Sequence, residues 1–393
     1  MKLIEKDLPK VEGKNILVRL DLNVPIKEGL IQDYSRIDKI LDTLNFLINK
    51  KCNLILLSHI GRPKGKKIQE LSLKPVSNYL TKKINFNVKL ISQDISKLKK
   101  KDLFKNSKEK IIMLENLRFY LDEEENKDEF AKQIASLGDI YVNEAFSCSH
   151  RAHSSVSKIT KYIPSFAGML LNKELTALKK VTKEIQKPIT CIIGGSKIST
   201  KIHVIRNLIP LFDNIIIVGG MANNIIKSKG YEIGKSIYEN GCENIVNQLF
   251  LLADKNNCKI YYPEDFLIGK SLDGKPEHKK IDQVKDDEMI LDIGKISIEK
   301  IKNIIKESKS ILWNGPAGYF ENSSFSIGSY EIAKLIAEQT SKNKLYSVLG
   351  GGDTISLINK LNLFEKFNFV STAGGAFLEY LEGKELPGIK ALE

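Results

Sequence analysis

Residues 187–201, KPITCIIGGSKISTK, decide how this chain is read. Residues 189–193 form a short apolar run rich in β-branched side chains after a proline, which predicts a buried strand. Gly194-Gly195 removes side chains where that strand ends, and Ser196 or Ser199 is placed to cap a helix running through Ile202, Ile205 and Leu208. Strand, glycine turn and helix start together present free N–H groups and a helix dipole to an anion. Lys197 and Lys201 lie four apart and share a face if the helix includes them. Taken alone, the stretch reads equally as a phosphate cradle or as an ordinary strand–helix turn with two solvated lysines.

Composition narrows the field. The chain has 393 residues, enough for two or three domains, and its 42% hydrophobic and 28% charged content is that of a globular protein. Its five cysteines are widely spaced and form no CxxC pair, which indicates neither a disulfide framework nor a zinc site. The start, MKLIEKDLPK, is too charged for a signal peptide, and no apolar run reaches the ~18 residues of a membrane span. A reducing, cytoplasmic setting without a membrane partner is expected.

The net charge of +13 raises nucleic acid as a partner, but only six of the 61 basic residues are arginine. Where lysine is the default surface cation, an arginine is kept for its planar fork. Five of the six (Arg19, Arg36, Arg62, Arg118 and Arg151) lie in the first 151 residues, as do His59, His150 and His153. The glycine clusters at 194–195, 219–220, 350–352 and 374–375 all lie in the second half. One half is equipped to grip a small anion with arginines, the other to hold phosphates with backbone.

The first half alternates strands at 15–20, 54–57, 111–114 and 140–143 with helices opening at Arg36 and near 74–83 and 126–137, so its sheet should be parallel. Polar residues follow each strand, where open α/β sheets bind ligands. A helix over 172–184 separates this half from a second α/β unit with strands at 214–218, 259–262, 289–293, 310–313, 346–349 and 368–370. No GxxxxGK[ST] or GxGxxG opens a strand–helix unit; Gly230–Ser236 is one spacer residue short of the former, which disfavours both a P-loop and a nicotinamide dehydrogenase. Gly350-Gly351-Gly352-Asp353-Thr354 offers backbone N–H groups with a carboxylate and a hydroxyl suited to magnesium. Gly374-Gly375, before a helix over 376–381, is a further anion-ready helix start.

In family order, VRLDLNVP (18–25), SHIGRP (58–63), ENLRF (115–119), GGSKISTK (194–201), WNGPAGYFE (313–321) and GGGDT (350–354) resemble the phosphoglycerate kinases, and the likeness extends to the terminal GKELPGIKAL (383–392). The resemblance implies two doubly wound, parallel-sheet α/β domains of Rossmann type joined by a helix hinge. These would be a phosphoglycerate-binding domain at 1–171, a connecting helix at 172–187, a nucleotide-binding domain at 188–375 and a segment at 376–393 returning to the first domain. It implies a monomer that moves a phosphoryl group between 1,3-bisphosphoglycerate and ADP with Mg2+, giving 3-phosphoglycerate and ATP, and it implies no nucleic-acid partner. By the same resemblance Asp21, Leu22, Asn23, Arg36, His59, Ile60, Gly61, Arg62, Arg118 and Arg151 bind phosphoglycerate. Gly195, Lys197, Lys201, Gly219, Glu321, Gly351, Gly352, Asp353 and Thr354 bind the nucleotide, Asp353 on the metal side, while Arg36, Lys197, Gly374 and Gly375 meet the moving phosphoryl group. The sequence departs from the family's usual pattern at Glu144 (usually Asp), Ser147-Cys148-Ser149 (usually Gly-Thr-Ala), Lys295 (commonly Pro) and Ala373 (usually Gly). A methyl group at Ala373 is expected to restrict a phosphate-facing turn and slow turnover.

Overall fold

The structure, a computed structural model, describes residues 1–105 and 109–393. The chain forms two compact units: Met1–Leu175 with Glu385–Glu393, and Thr176–Lys384.

The first unit is built on six parallel strands in the order Val88–Ile91, Ile111–Leu114, Asn53–Leu57, Asn15–Arg19, Ile140–Asn143, Ser165–Ala167. Successive side chains of a strand point to opposite faces, and here both faces are covered. Ile16, Val18, Leu54 and Leu56 enter one apolar core, while Leu17, Ile55 and Leu57 enter another. That is why these strands read as unbroken apolar runs. The strand order reverses direction between Asn15–Arg19 and Ile140–Asn143.

The second unit repeats the plan with Lys259–Tyr261, Asn214–Ile217, Ile189–Ile193, Ser310–Asn314, Tyr346–Gly350 and Phe369–Ser371, again all parallel. Its reversal lies between Ile189–Ile193 and Ser310–Asn314, so the 187–201 stretch feeds the crevice where such sheets bind ligands.

Several expectations require correction. Met289–Ile293 is not in the parallel sheet; it pairs antiparallel with Asp265–Gly269, which also pairs with Glu277–Lys280, in a separate three-stranded sheet. The helix expected from Arg36 onwards is two helices, Ser35–Lys39 and Leu41–Asn49. The helix after the glycine turn begins only at Ile202, with no side-chain cap, so Lys197 and Lys201 precede it and do not share a helical face. Ser199 is instead bound to Glu239 through its N–H at 2.9 Å and its hydroxyl at 2.6 Å.

The connecting helix runs Met169–Thr182, and the division between units falls within it. The helix Gly375–Leu381 lies in the second unit, with Ala376, Phe377 and Leu381 buried and the Leu381 carbonyl accepting from Asn207 Nδ2 at 2.7 Å. Only Glu385–Glu393 joins the first unit. There Leu386 is buried, and Gly388 N–H donates to the Ser149 carbonyl at 2.8 Å.

Candidate active site

In the first unit, four adjacent strand ends deliver the candidate residues. The turn after Asn15–Arg19 is pinned by Ser58, whose hydroxyl accepts from Leu22 N–H at 3.0 Å and donates to the Leu20 carbonyl at 3.0 Å. Asn23 Oδ1 accepts from Gly61 N–H at 2.9 Å. Asn116 Nδ2 bridges the Ile60 and Leu71 carbonyls at 2.8 and 2.9 Å, and Arg118 Nη1 donates to the Gly61 carbonyl at 2.8 Å. Asp21 accepts from Arg36 Nη1 and from the Ser147 hydroxyl. These bonds join the turns carrying Asp21, Asn23, Arg36, His59, Gly61 and Arg118 into one cluster.

Leu22 and Ile60 sit in the same stretch, but their side chains are 0% and 3% exposed in the core, so they can offer a ligand only backbone. Arg62 and Arg151 are exposed.

The electrostatics of this cluster favour an anion. Burial, then Arg19, Arg118, His153 and Arg36, hold the His59 imidazole well below its usual pKa. Burial, then Arg118, Arg19, Arg151 and His150, bring His153 down to about 3. Burial first, and the cations around them second, disfavour the charged form of both rings. Arg118 Nε, buried, has no hydrogen-bond partner among the described residues; it lies 3.4 Å from Glu124.

Asp21, His59 and Cys148 also bring potential metal ligands within 4.8 Å of one another. Arg19 Nη2 stands 3.2 Å from His59 Nδ1 and 4.0 Å from Cys148 Sγ, so a divalent cation there would meet a guanidinium. The cluster is ground for an anion.

In the second unit, a cavity of about 600 Å³ opens at the sheet reversal, with Gly195, Gly219, Glu321 and Asp353 among its lining. Phe266, Leu291 and Pro316 give it apolar walls. Gly219, at φ +64°, opens the helix Gly220–Ser228, and its N–H donates to the Ala317 carbonyl at 3.1 Å. Gly351, at φ +99°, precedes the helix Gly352–Lys360 and packs against Asn314, whose Nδ2 donates to the Gly350 carbonyl at 2.8 Å.

Lys201 is turned inward. Its Nζ donates to the Gly194 carbonyl and to Asn314 Oδ1, and burial brings its pKa down to about 8. Lys197 is exposed. Thr354 is fully buried and its hydroxyl accepts from Gly315 N–H at 2.7 Å, a bond that holds two strand-end turns together. Gly374, at φ +55°, precedes Gly375 in open space.

The positive φ falls on Gly374 and not on Ala373, so the methyl group occupies an ordinary conformation and the restriction expected there has no basis in the backbone. Lys295 is the first residue of the helix Lys295–Glu307, a position that also suits proline. Glu144, buried, uses its length to accept from the Leu170 and Leu171 N–H groups at 2.9 and 3.1 Å, near the start of the connecting helix.

A divalent cation that binds phosphates needs hard oxygen donors and few protein ligands. Asp353, exposed on the cavity wall in the first turn of its helix, fits that requirement.

Sequence reasoning counted Arg19 among the grouped arginines and Ser147 among the departures without assigning either a place in the site, and it missed the contacts of Arg19 with His59 and of Ser147 with Asp21 and the cavity wall formed by Lys235, Ser236 and Met289–Ile293. The Gly230–Ser236 stretch contributes to this wall without being a P-loop: Gly234 takes φ +54° and Lys235 N–H donates to the Glu288 carbonyl at 2.7 Å.

The chain is similar to known proteins along its whole length. The family model described as phosphoglycerate kinase matches residues 6–384. The phosphoglycerate kinase of Wolbachia sp. subsp. Brugia malayi (strain TRS) is 45% identical over 394 residues, covering 98% of each chain. That of Wolbachia pipientis wMel is 43% identical, covering 98% of this chain and 99% of its own. Among solved structures, phosphoglycerate kinase from Coxiella burnetii superposes with a TM-score of 0.90 at 40% identity, covering 98% of this chain and 97% of its own. The enzyme from Pyrococcus horikoshii OT3 gives 0.83 at 28% identity, covering 100% and 98%.

Proposed function

We infer, from the premise that this chain belongs to the phosphoglycerate kinase family, that its two strand-end sites divide the family's reaction between them. The reaction is the reversible, Mg2+-dependent glycolytic transfer of a phosphoryl group from 1,3-bisphosphoglycerate to ADP, giving 3-phosphoglycerate and ATP. Phosphoryl transfer demands positioning and charge neutralisation more than covalent help from the protein. The observation that carries the division is the cationic cluster at the first sheet's reversal, where Arg19, Arg36 and Arg118 are bonded to His59, Asp21 and the Gly61 carbonyl.

Arg62, Arg118 and Arg151 bind the phosphate of phosphoglycerate, with His59, Asp21, Asn23 and the backbone of Leu22, Ile60 and Gly61 fixing its orientation. Gly195, Gly219, Glu321 and the Gly351–Thr354 turn hold ADP or ATP, with Lys197 and Lys201 neutralising phosphate charge. Asp353 would hold Mg2+, which would supply positive charge to offset that of the phosphates. Arg36, Lys197 and the Gly374-Gly375 helix start stabilise the charge on the moving phosphoryl group, and the attacking atom is a substrate oxygen.

No described helix is long and apolar enough to cross a membrane. We place the enzyme in the cytoplasm, because its five cysteines are free and buried, and take it as a monomer on the family resemblance alone.

A coupled assay of ATP-dependent 3-phosphoglycerate turnover tests the activity. Arg118→Met tests the division: the KM for 3-phosphoglycerate should rise at least tenfold, as for loss of a charged hydrogen bond, while the KM for ATP holds. Equal effects on both would break it.

A further inference from the structure

We infer that Arg19 is a positioning residue that fixes His59 as its Nε2–H tautomer, so that the ring meets the substrate as a hydrogen-bond donor. This rests on the reading of His59 as a phosphoglycerate contact.

Arg19 ends the strand Asn15–Arg19 and is fully buried. Its Nη2 lies 3.2 Å from His59 Nδ1. A guanidinium has five donors and no acceptor, so Nδ1 must supply the lone pair. A neutral imidazole with Nδ1 as acceptor carries its proton on Nε2. Burial, and after it Arg19, Arg118, His153 and Arg36, disfavour the ring's charged form, and Cys148 Sγ lies 4.0 Å from Nδ1. Asp21 completes the surrounding set.

Arg19 is itself held from behind. Its Nε donates to Ser155 Oγ at 2.8 Å and its Nη1 to the Leu20 carbonyl. Ser155 Oγ donates to Glu123 Oε1 at 2.5 Å, and Ser155 N–H to Glu123 Oε2 at 2.9 Å. Tyr141 hydroxyl fastens the Ser155 carbonyl at 2.7 Å. Donation therefore runs outward from Arg19 on both sides, through Ser155 to the Glu123 carboxylate and directly to the ring, so the guanidinium is anchored at one edge and presents a fixed donor to Nδ1 at the other. The opposite tautomer would turn the Nε2 lone pair towards an anionic substrate and set an Nδ1–H against an arginine donor.

The test is long-range 1H–15N NMR of the histidine rings, with His59 assigned by loss of its signals in His59→Gln. Wild type should show Nδ1 unprotonated and Nε2 protonated at pH 7; an Nδ1–H ring overturns the proposal. The double variant Arg19→Met/Glu123→Gln removes both buried charges together. His59 should then shift towards a mixture of tautomers, the KM for 3-phosphoglycerate should rise by about tenfold and become pH-dependent near neutrality, and the KM for ATP should hold. Unchanged His59 signals in the folded variant overturn the proposal. A tautomer change with unchanged KM supports the positioning by Arg19 and overturns the assignment of His59 to substrate. If the double variant does not fold, Ser155→Ala removes only the hydroxyl that holds Arg19 Nε; a smaller shift in the same direction supports the proposal, and none overturns it.

Discussion

Gly194 and Gly315 meet at the reversal point of the second sheet with no room for a side chain on either. A Cβ on Gly194 would lie 2.2 Å from the Pro316 carbonyl oxygen, and one on Gly315 would lie 2.3 Å from the Gly194 carbonyl oxygen. Gly315 also sits at φ +104°, a conformation disfavoured for any other residue. The approach lets the strand Ile189–Ile193 and its neighbour Ser310–Asn314 end in one crevice. Gly315→Ala should therefore cost more than about 2 kcal/mol in urea unfolding and weaken ADP binding together with it. A loss under about 0.5 kcal/mol would show that the turn relaxes freely.

His153 should leave a signature in acid. Burial, then Arg118, Arg19, Arg151 and His150, take its folded pKa to about 3 from an ordinary 6.5. Between those values the unfolded chain binds a proton that the folded chain refuses, so stability is fully present above pH 6.5 and is lost as pH falls towards 3. One such group contributes a slope of up to about 1.4 kcal/mol per pH unit. His153→Gln should lose stability less steeply than wild type between pH 6 and 4, by roughly one proton's share. Parallel curves from urea titrations at successive pH values would remove His153 from this role.

The glycine clusters and the apolar strands are legible in the sequence because each follows from local chemistry: buried parallel strands need unbroken apolar runs, and close backbone approaches need glycine. What is decided by distant partners is not. Arg19 reads as the polar end of NILVRL, and its burial depends on Ser155 and His59. Ser147 gains its place only by reaching Asp21. Thr354 looks like a ligand hydroxyl until Gly315 N–H is seen to hold it. Lys201 looks solvated until the Gly194 carbonyl and Asn314 are seen to draw it in. Glu277–Lys280 carries no apolar alternation, since three of its four side chains are exposed, so a strand there depends on pairing with Asp265–Gly269.

That inward lysine gives a prediction in base. Burial lowers its pKa from 10.5 to about 8, with Cys191 and Asp353 pulling the other way. Folding stability should rise between pH 8 and 10.5, where the unfolded chain keeps a proton the folded chain has shed. Nucleotide binding should move oppositely, because a neutral amine loses its attraction for phosphate. The dissociation constant for ADP, measured calorimetrically, should increase by up to about tenfold per pH unit above pH 8, as for one linked proton. Lys201→Met should bind ADP more weakly and without that rise. An equally steep rise in the variant would assign the dependence to another group.

Arg36→Lys separates a transition-state clamp from a surface cation. Arg36 lies in the short helix Ser35–Lys39, partly exposed, and donates through Nη1 to Asp21 on the neighbouring turn. That contact occupies one edge of the guanidinium and aims a planar group of fixed donors beside His59 and Asp21. Lysine keeps the charge and loses the fork and the spread of donors. In a chain whose basic residues are almost all lysine, a mere surface role would tolerate the change within about 0.5 kcal/mol of stability. If the fork meets the charge that develops on the phosphoryl group, a donor of this kind is worth roughly 3–4 kcal/mol in the transition state. We expect kcat to fall by more than about a hundredfold, with the KM for ATP and the Tm nearly unchanged, which is the pattern of an interaction made only as the reaction proceeds. A variant that keeps near-normal kcat would leave Arg36 as a partner of Asp21 alone and move the neutralisation of the phosphoryl group to Lys197 and the Gly374-Gly375 helix start.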